Sequence, residues 1–342
     1  MKISSLSKYT LGVVAAAGIL AGCSSGAQTS GLGSGVTPAA GQHVSGSNFA
    51  AKAPLMHGQA NVKIVPISPD KKKAKKYAYV SDSGANELFV YNFANGSFGT
   101  AVGSTSNVSQ PQGLCALKTA VYLANTNDSQ ILVFKAPSTT SSSSLSTTGF
   151  FPVGCSVDSK GDVAVSNICT APYCSPEGNV MIFKGGKGTP TTATCPNLAR
   201  YYFLTYDKKG NIWVDGEDAS YAFAFCEIPA GSTNGQAISL NVDPEFPGGV
   251  QIGGKNVTIL DQDTNTVDEY TISGTSGTLS GSVALGGGIS DPVGDWITKN
   301  GKYVLTANAG SANATSFAYP AGGNPVSTAS GLVEPIGVAV AK

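Results

Sequence analysis

The chain has 342 residues, of which 12% are charged, with 21 Lys and Arg against 21 Asp and Glu. That density is about half the usual ~25%; it excludes a coiled coil or a nucleic-acid binder, both of which need dense charge. A hydrophobic content of 41% is enough to bury a core, and the 43 glycines are well above the usual ~7%.

The first residues read as an address. Lys2 and Lys8 form a basic start, and Leu11 to Ala21 is an apolar run too short to span a bilayer. It ends in Leu20-Ala21-Gly22-Cys23, which resembles the bacterial lipobox, so residues 1–22 are expected to be a lipoprotein signal peptide and Cys23 the lipidated mature N-terminus. Several acyl chains anchor more firmly than the single chain that binds marginally. Ser24 after the Cys resembles the outer-membrane sorting pattern, placing the exported chain at the outer membrane or cell surface. Residues 23–61 are rich in Gly, Ser and Ala with little charge, the composition of a flexible tether.

From Tyr77 onward the chain repeats. A run of alternating apolar residues ending in Asp or Asn recurs at Asp82, Asn125, Asn167, Asp215, Asp261 and Asn308. Taking Val80, Leu123, Val165, Val214, Ile259 and Leu305 as the register, the gaps are 43, 42, 49, 45 and 46. Between repeats stands Pro-x-Gly before an apolar strand, as in Pro111-Gln-Gly113 and Pro335-Ile-Gly337. Period-two alternation with Gly, Asn and Asp turns predicts short antiparallel strands. Units of about 45 residues predict an all-β fold, a six-bladed β-propeller of four-stranded antiparallel blades over residues 62–342. The first repeat lacks an inner strand and the last stops after one, so the C-terminal strand should complete the first blade and close the ring.

Val157-Asp-Ser-Lys-Gly-Asp-Val-Ala-Val165 and Tyr206-Asp-Lys-Lys-Gly-Asn-Ile-Trp-Val214 resemble NHL-type and gluconolactonase-like propeller repeats. The resemblance implies architecture more than activity, because such propellers host lactonases, lyases, oxidoreductases and binding modules. It also implies a candidate metal centre. Gluconolactonase-like enzymes hold a divalent ion with Glu, Asn and Asp at the channel mouth, here Glu334, Asn167, Asp215 and Asp261; their Glu-Gly-Pro signature is reduced to Glu334-Pro335.

Asp261-Gln-Asp263-Thr-Asn265 has the carboxylate spacing of a calcium loop, which makes Ca2+ the candidate cofactor. Thr266 and Ile272, however, replace the loop's Gly and its bidentate Glu. Both histidines, His43 and His57, precede the repeats, so the propeller lacks a histidine-based nucleophile or metal ligand and the sequence leans away from an enzyme. Beyond Cys23, six cysteines in an exported chain imply disulfides with fifteen pairings. Cys169 and Cys174 bracket a small loop; Cys115 and Cys155 lie on neighbouring inner strands, and they are placed to pair, as are Cys195 and Cys226.

Sorting charges by predicted loop puts most lysines on one face and most carboxylates on the other. The basic face suits anionic headgroups or polyanions, and the acidic face a ligand. The expectation is a monomeric, membrane-anchored binding or scaffold module that takes a protein or carbohydrate on its acidic face and no nucleic acid. The alternatives are a metal-dependent lactonase-like hydrolase and an envelope-structural protein.

Overall fold

The computed structural model describes residues 75–175 and 177–342; the expected signal peptide, lipidated Cys23 and tether, and residues 62–74 of the expected propeller, lie outside them. Among the described residues there is no α-helix, and the regular structure is 24 strands with two single-turn 3-10 helices, Thr126–Asp128 and Lys184–Gly186. In chain order these are β1 (Lys76–Asp82), β2 (Glu87–Ala94), β3 (Ser97–Thr105), β4 (Pro111–Leu117), β5 (Ala120–Asn125), β6 (Gln130–Lys135), β7 (Ser141–Ser146) and β8 (Phe150–Val157). Then come β9 (Val163–Thr170), β10 (Asn179–Phe183), β11 (Thr191–Ala193), β12 (Arg200–Tyr206), β13 (Ile212–Glu217), β14 (Phe223–Ile228), β15 (Gln236–Leu240) and β16 (Pro247–Gly253). The last are β17 (Asn256–Asp261), β18 (Thr266–Ser273), β19 (Ser276–Ala284), β20 (Pro292–Ile297), β21 (Tyr303–Asn308), β22 (Asn313–Ala318), β23 (Gly322–Ser330) and β24 (Pro335–Ala341).

The sheets have a propeller-like arrangement. Four of them are four-stranded meanders, β4–β7, β8–β11, β20–β23, and β1–β3 completed by β24. The pairing of β24 with β1, from Tyr77 opposite Ala341 to Asp82 opposite Pro335, joins the two ends of the repeat region. The remaining eight strands form one sheet in the order β12-β13-β14-β15-β19-β18-β17-β16. Within the sheet its two halves pair where Ser239 and Leu240 run parallel to Ser276 and Gly277. The repeat pattern does not predict this junction. Gly277 permits it, because a Cβ there would lie 2.4 Å from Leu240 Cδ2.

The inner strands follow one another in a cycle: β4 packs beside β8, then β12, β16, β20, β24 and back to β4. The recurring glycine is explained by this crowding. A Cβ on Gly113 would stand 2.6 Å from the Val153 carbonyl oxygen, one on Gly294 2.5 Å from that of Ile336, and one on Gly337 2.5 Å from that of Gln112. The core is correspondingly divided into clusters between successive sheets. Leu88, Val90, Leu123 and Phe134 fill one of these; Val165, Met181, Ile131 and Leu145 fill the next.

The disulfides are Cys115–Cys155, Cys169–Cys174 and Cys195–Cys226. The first joins inner strands β4 and β8, and the third ties the loop after β11 to β14. They indicate an oxidising compartment outside the cytoplasm. Among the described residues no helix is long and apolar enough to cross a membrane.

Candidate functional site at the acidic end of the channel

Strand polarity sets which loops share an end of the channel. The turns after each inner strand lie at one end, and the loops that follow the second strands and precede the inner ones lie at the other. At the latter end stand the Asp and Asn residues that close β1, β5, β17 and β21, Asn167 and Asp215 near the ends of β9 and β13, and Glu334 just before β24.

Four of these side chains support the incoming loops and strands, and two, Asn167 and Asn308, bond across to third strands. Asp82 accepts hydrogen bonds from the backbone N–H groups of Ala85, Val333 and Glu334 at 3.0, 2.7 and 2.9 Å. Asp261 does the same for Glu245 at 2.8 Å and Phe246 at 3.3 Å, and also accepts from Asp263 N–H at 3.0 Å. Asp215 accepts from Phe203 N–H at 2.7 Å, and Asn125 from Ser109 N–H at 2.6 Å. Asn167 donates to Asn179 Oδ1 at 2.7 Å, and Asn308 to Asn313 Oδ1 at 2.7 Å. In four repeats the side chain thus receives N–H groups of the incoming inner strand or of the loop before it. Such segments have no ladder partner at that point, so their N–H groups need an acceptor.

Of the sequence-predicted metal ligands, Glu334, Asn167, Asp215, Asp261 and Asp263 all come to this end of the channel, each in its own repeat apart from the Asp261–Asp263 pair. Among the described residues no three His, Cys, Asp or Glu side chains come together as a group able to hold a metal ion. Burial, with Asp82 beside it, raises the Glu334 carboxyl above its ordinary range. Burial likewise raises Asp215 strongly, against the bond from Phe203 N–H and with a contribution from the charge of Asp295.

Two features were not singled out in the sequence. The first is Asp295, 4% exposed on inner strand β20, with neither carboxylate oxygen bonded to a protein partner. It follows the strand glycine, where the other Pro-x-Gly strands carry Leu114, Cys155, Val250 and Val338. These residues, with Leu204, line the narrow middle of the channel, where the volume open to water centres is about 20 Å³. That is room for about one water, not for a sugar or a lactone. Burial pushes Asp295 up to about 7.

The second is a cluster at the acidic end around Arg200, the chain's single arginine. Its guanidinium lies 4.2 Å from the ring centroid of Tyr221 and 3.6 Å from Glu217 Oε2. Glu217 is buried and raised by that burial, while a hydrogen bond from Tyr202 and the charge of Arg200 counteract the rise. Tyr221 is 61% exposed, and Tyr173, in the loop closed by Cys169–Cys174, is 85% exposed. Both aromatic rings therefore stand in solvent at the same end as Asp218, Asp243 and Glu177. The sequence signal that marks this cluster is the arginine standing alone in an otherwise acidic set of loops.

No family model and no curated protein matches this chain. Among solved structures it is similar to a chain of a nidogen–laminin complex, at 11% identity and a TM-score of 0.63, over 78% of this chain and 98% of that one. It is also similar to a protein of unknown function from Bacteroides caccae, at 12% identity and 0.60, over 79% and 100%. A functionally unknown protein from Desulfotomaculum acetoxidans DSM 771 matches at 10% and 0.54, over 78% and 98%. At such identities the likeness defines the fold alone, a β-propeller.

Proposed function

We propose that this chain is an exported lipoprotein, anchored through Cys23, whose propeller binds a protein or carbohydrate partner at its acidic end. The propeller is read as six-bladed. The closed cycle of six inner strands supports that count, with the eight-stranded sheet taken as two blades joined at their outer edges. The observation that carries the binding reading is the division of labour at this end. Each strand-end Asp and Asn side chain bonds to a loop or a neighbouring strand, although Asn167 Oδ1, Asp215 Oδ2 and Asn308 Oδ1 keep no protein partner, whereas Tyr173 and Tyr221 are exposed in loops that carry acidic residues. Exposed aromatic rings in acidic loops suit hydroxyl-rich or cationic groups, and Arg200 already lies over one face of Tyr221. A lactonase-like hydrolase needs convergent ligands, and among the described residues no three His, Cys, Asp or Glu side chains come together at the channel mouth.

The test is binding of the purified full chain to a glycan array and capture of envelope proteins, repeated with Tyr221→Ala and Tyr173→Ala. Loss of about tenfold in affinity for the captured partner supports the reading, in line with aromatic residues dominating binding surfaces. A partner that binds both variants as well as the parent chain overturns it. Anchoring is tested separately by palmitate labelling, expected in the parent chain and absent in Cys23→Ala.

A further inference from the structure

The end of the channel opposite the acidic loops has its own composition. All thirteen lysines from Lys75 onward fall there, and all are exposed. Lys118, Lys160, Lys208, Lys209, Lys255, Lys299 and Lys302 sit in the turns between inner and second strands, Lys135 ends a third strand, and Lys184 and Lys187 follow another. Lys75, Lys76 and Lys342 lie where β1 begins and β24 ends.

The carboxylates on that side are half-buried and engaged in hydrogen bonds. Asp158 Oδ1 accepts from the N–H groups of Lys160 and Asp162 at 2.8 and 2.9 Å, and Asp207 Oδ1 from those of Lys209 and Asn211 at 2.8 and 2.9 Å. Asp162 pairs with Lys184 Nζ at 2.8 Å and accepts from Gly185 N–H. Glu227 and Glu269, on third strands, are bonded to Gln236 and to Tyr319. The acidic end has Arg200 as its one cation among the described residues.

Chain direction supplies the second observation. β1 starts on the lysine-bearing end, so the chain preceding Lys75 joins the propeller there, and Cys23 stands 52 residues before Lys75. We infer that the lysine-bearing end docks on a bilayer surface of anionic lipid headgroups, the membrane to which the chain is attached, and that the acidic end therefore faces away from it. The identity of that membrane rests on the anchoring reading; the preference for anionic headgroups does not. Each lysine near such a surface adds attraction that decays within a Debye length, so several acting together suffice for reversible docking.

The experiment is flotation of the full-length chain, carrying Cys23→Ala, with phosphatidylcholine vesicles and with vesicles about one-third phosphatidylglycerol, at ~0.05 M and ~0.5 M salt. The expected result is about tenfold stronger partition onto the anionic vesicles at low salt, lost at high salt. The preference should also be lost with Lys118→Gln, Lys160→Gln, Lys209→Gln, Lys255→Gln and Lys299→Gln combined, but kept with Asp218→Asn and Asp243→Asn. These lysines are exposed, so the variants keep the core. A lysine-acetylation footprint on the parent chain gives an independent readout, with the same lysines protected by anionic vesicles. Equal partition onto both vesicles, or preference unaffected by the lysine changes, overturns the proposal. Tight binding of soluble polyphosphate without vesicle preference also overturns it, in favour of a soluble polyanion. Failure here leaves partner binding at Tyr173 and Tyr221 untouched, so the two readings fail separately.

Discussion

Replacing Asp295 by Val, the residue that β16 and β24 carry after their glycines, should stabilise the propeller by an amount that grows as pH rises from about 4 to about 7 and is then constant. In the folded chain burial raises this carboxyl from 3.8 to about 7. Between those values the folded state holds a proton that the unfolded state has released. Stability therefore falls as pH rises through that window and is flat above it. Three units at ~1.4 kcal/mol each give about 4 kcal/mol lost by pH 8, an upper bound because a channel water can solvate the carboxylate. Half that value, about 2 kcal/mol, corresponds to a rise of about 4–8 °C in melting temperature for a domain of this size. The assay is thermal unfolding of parent and Asp295→Val at intervals from pH 4 to pH 9. Subtracting the curves cancels Glu334, Glu217 and Asp268, which burial also raises. Asp215 does not cancel fully, since the charge of Asp295 contributes to its rise, and relief of that repulsion adds to the gain above pH 7. A difference curve that stays flat, or a gain from Asp295→Val that is smaller at pH 8 than at pH 5, would refute the claim that this carboxylate is buried without a compensating partner.

Other perturbations test other parts of the account. Millimolar calcium after EDTA should leave the melting temperature unchanged, because no three acidic side chains converge among the described residues; a rise of several degrees would restore the metal-centred reading. Gly294→Ala should cost about 1–3 kcal/mol in chemical denaturation, since the new Cβ would lie 2.5 Å from the Ile336 carbonyl oxygen. Replacing both Cys195 and Cys226 by Ser opens a loop of 31 residues and should lower stability by about 3–4 kcal/mol. Ending the chain before Pro335 removes the strand that pairs with β1; the remainder should lose its cooperative melt and expose β1 as an aggregating edge.

The repeat was legible in the sequence because each unit repeats the same physical demands. An apolar second strand must alternate, an inner strand needs a glycine where its neighbour's carbonyl approaches, and a hairpin needs Gly, Asn or Asp. The missing inner strand at Tyr77 and the surplus one at Pro335 gave ring closure by the same logic. Disulfide placement followed, since Cys115 and Cys155 occupy related positions on neighbouring inner strands. The site was less legible. Asp82 and Asp261 carry the residue types of a metal ligand, but their role depends on which backbone N–H groups arrive from Val333, Glu334, Glu245 and Phe246, and spacing along one strand does not encode that. Asp295 was passed over because a carboxylate within an apolar strand looks like a solvent-facing residue until the neighbouring strands enclose it. The edge pairing of β15 with β19 depends on two residues and one glycine, too small a feature for the pattern to reveal.

The most direct test of ligand binding at the acidic end is hydroxyl-radical footprinting of the chain in intact envelopes against the purified chain. Tyr173 and Tyr221, 85% and 61% exposed, should be oxidised readily when purified and protected in the envelope. Equal oxidation of both residues in the two preparations would contradict the account.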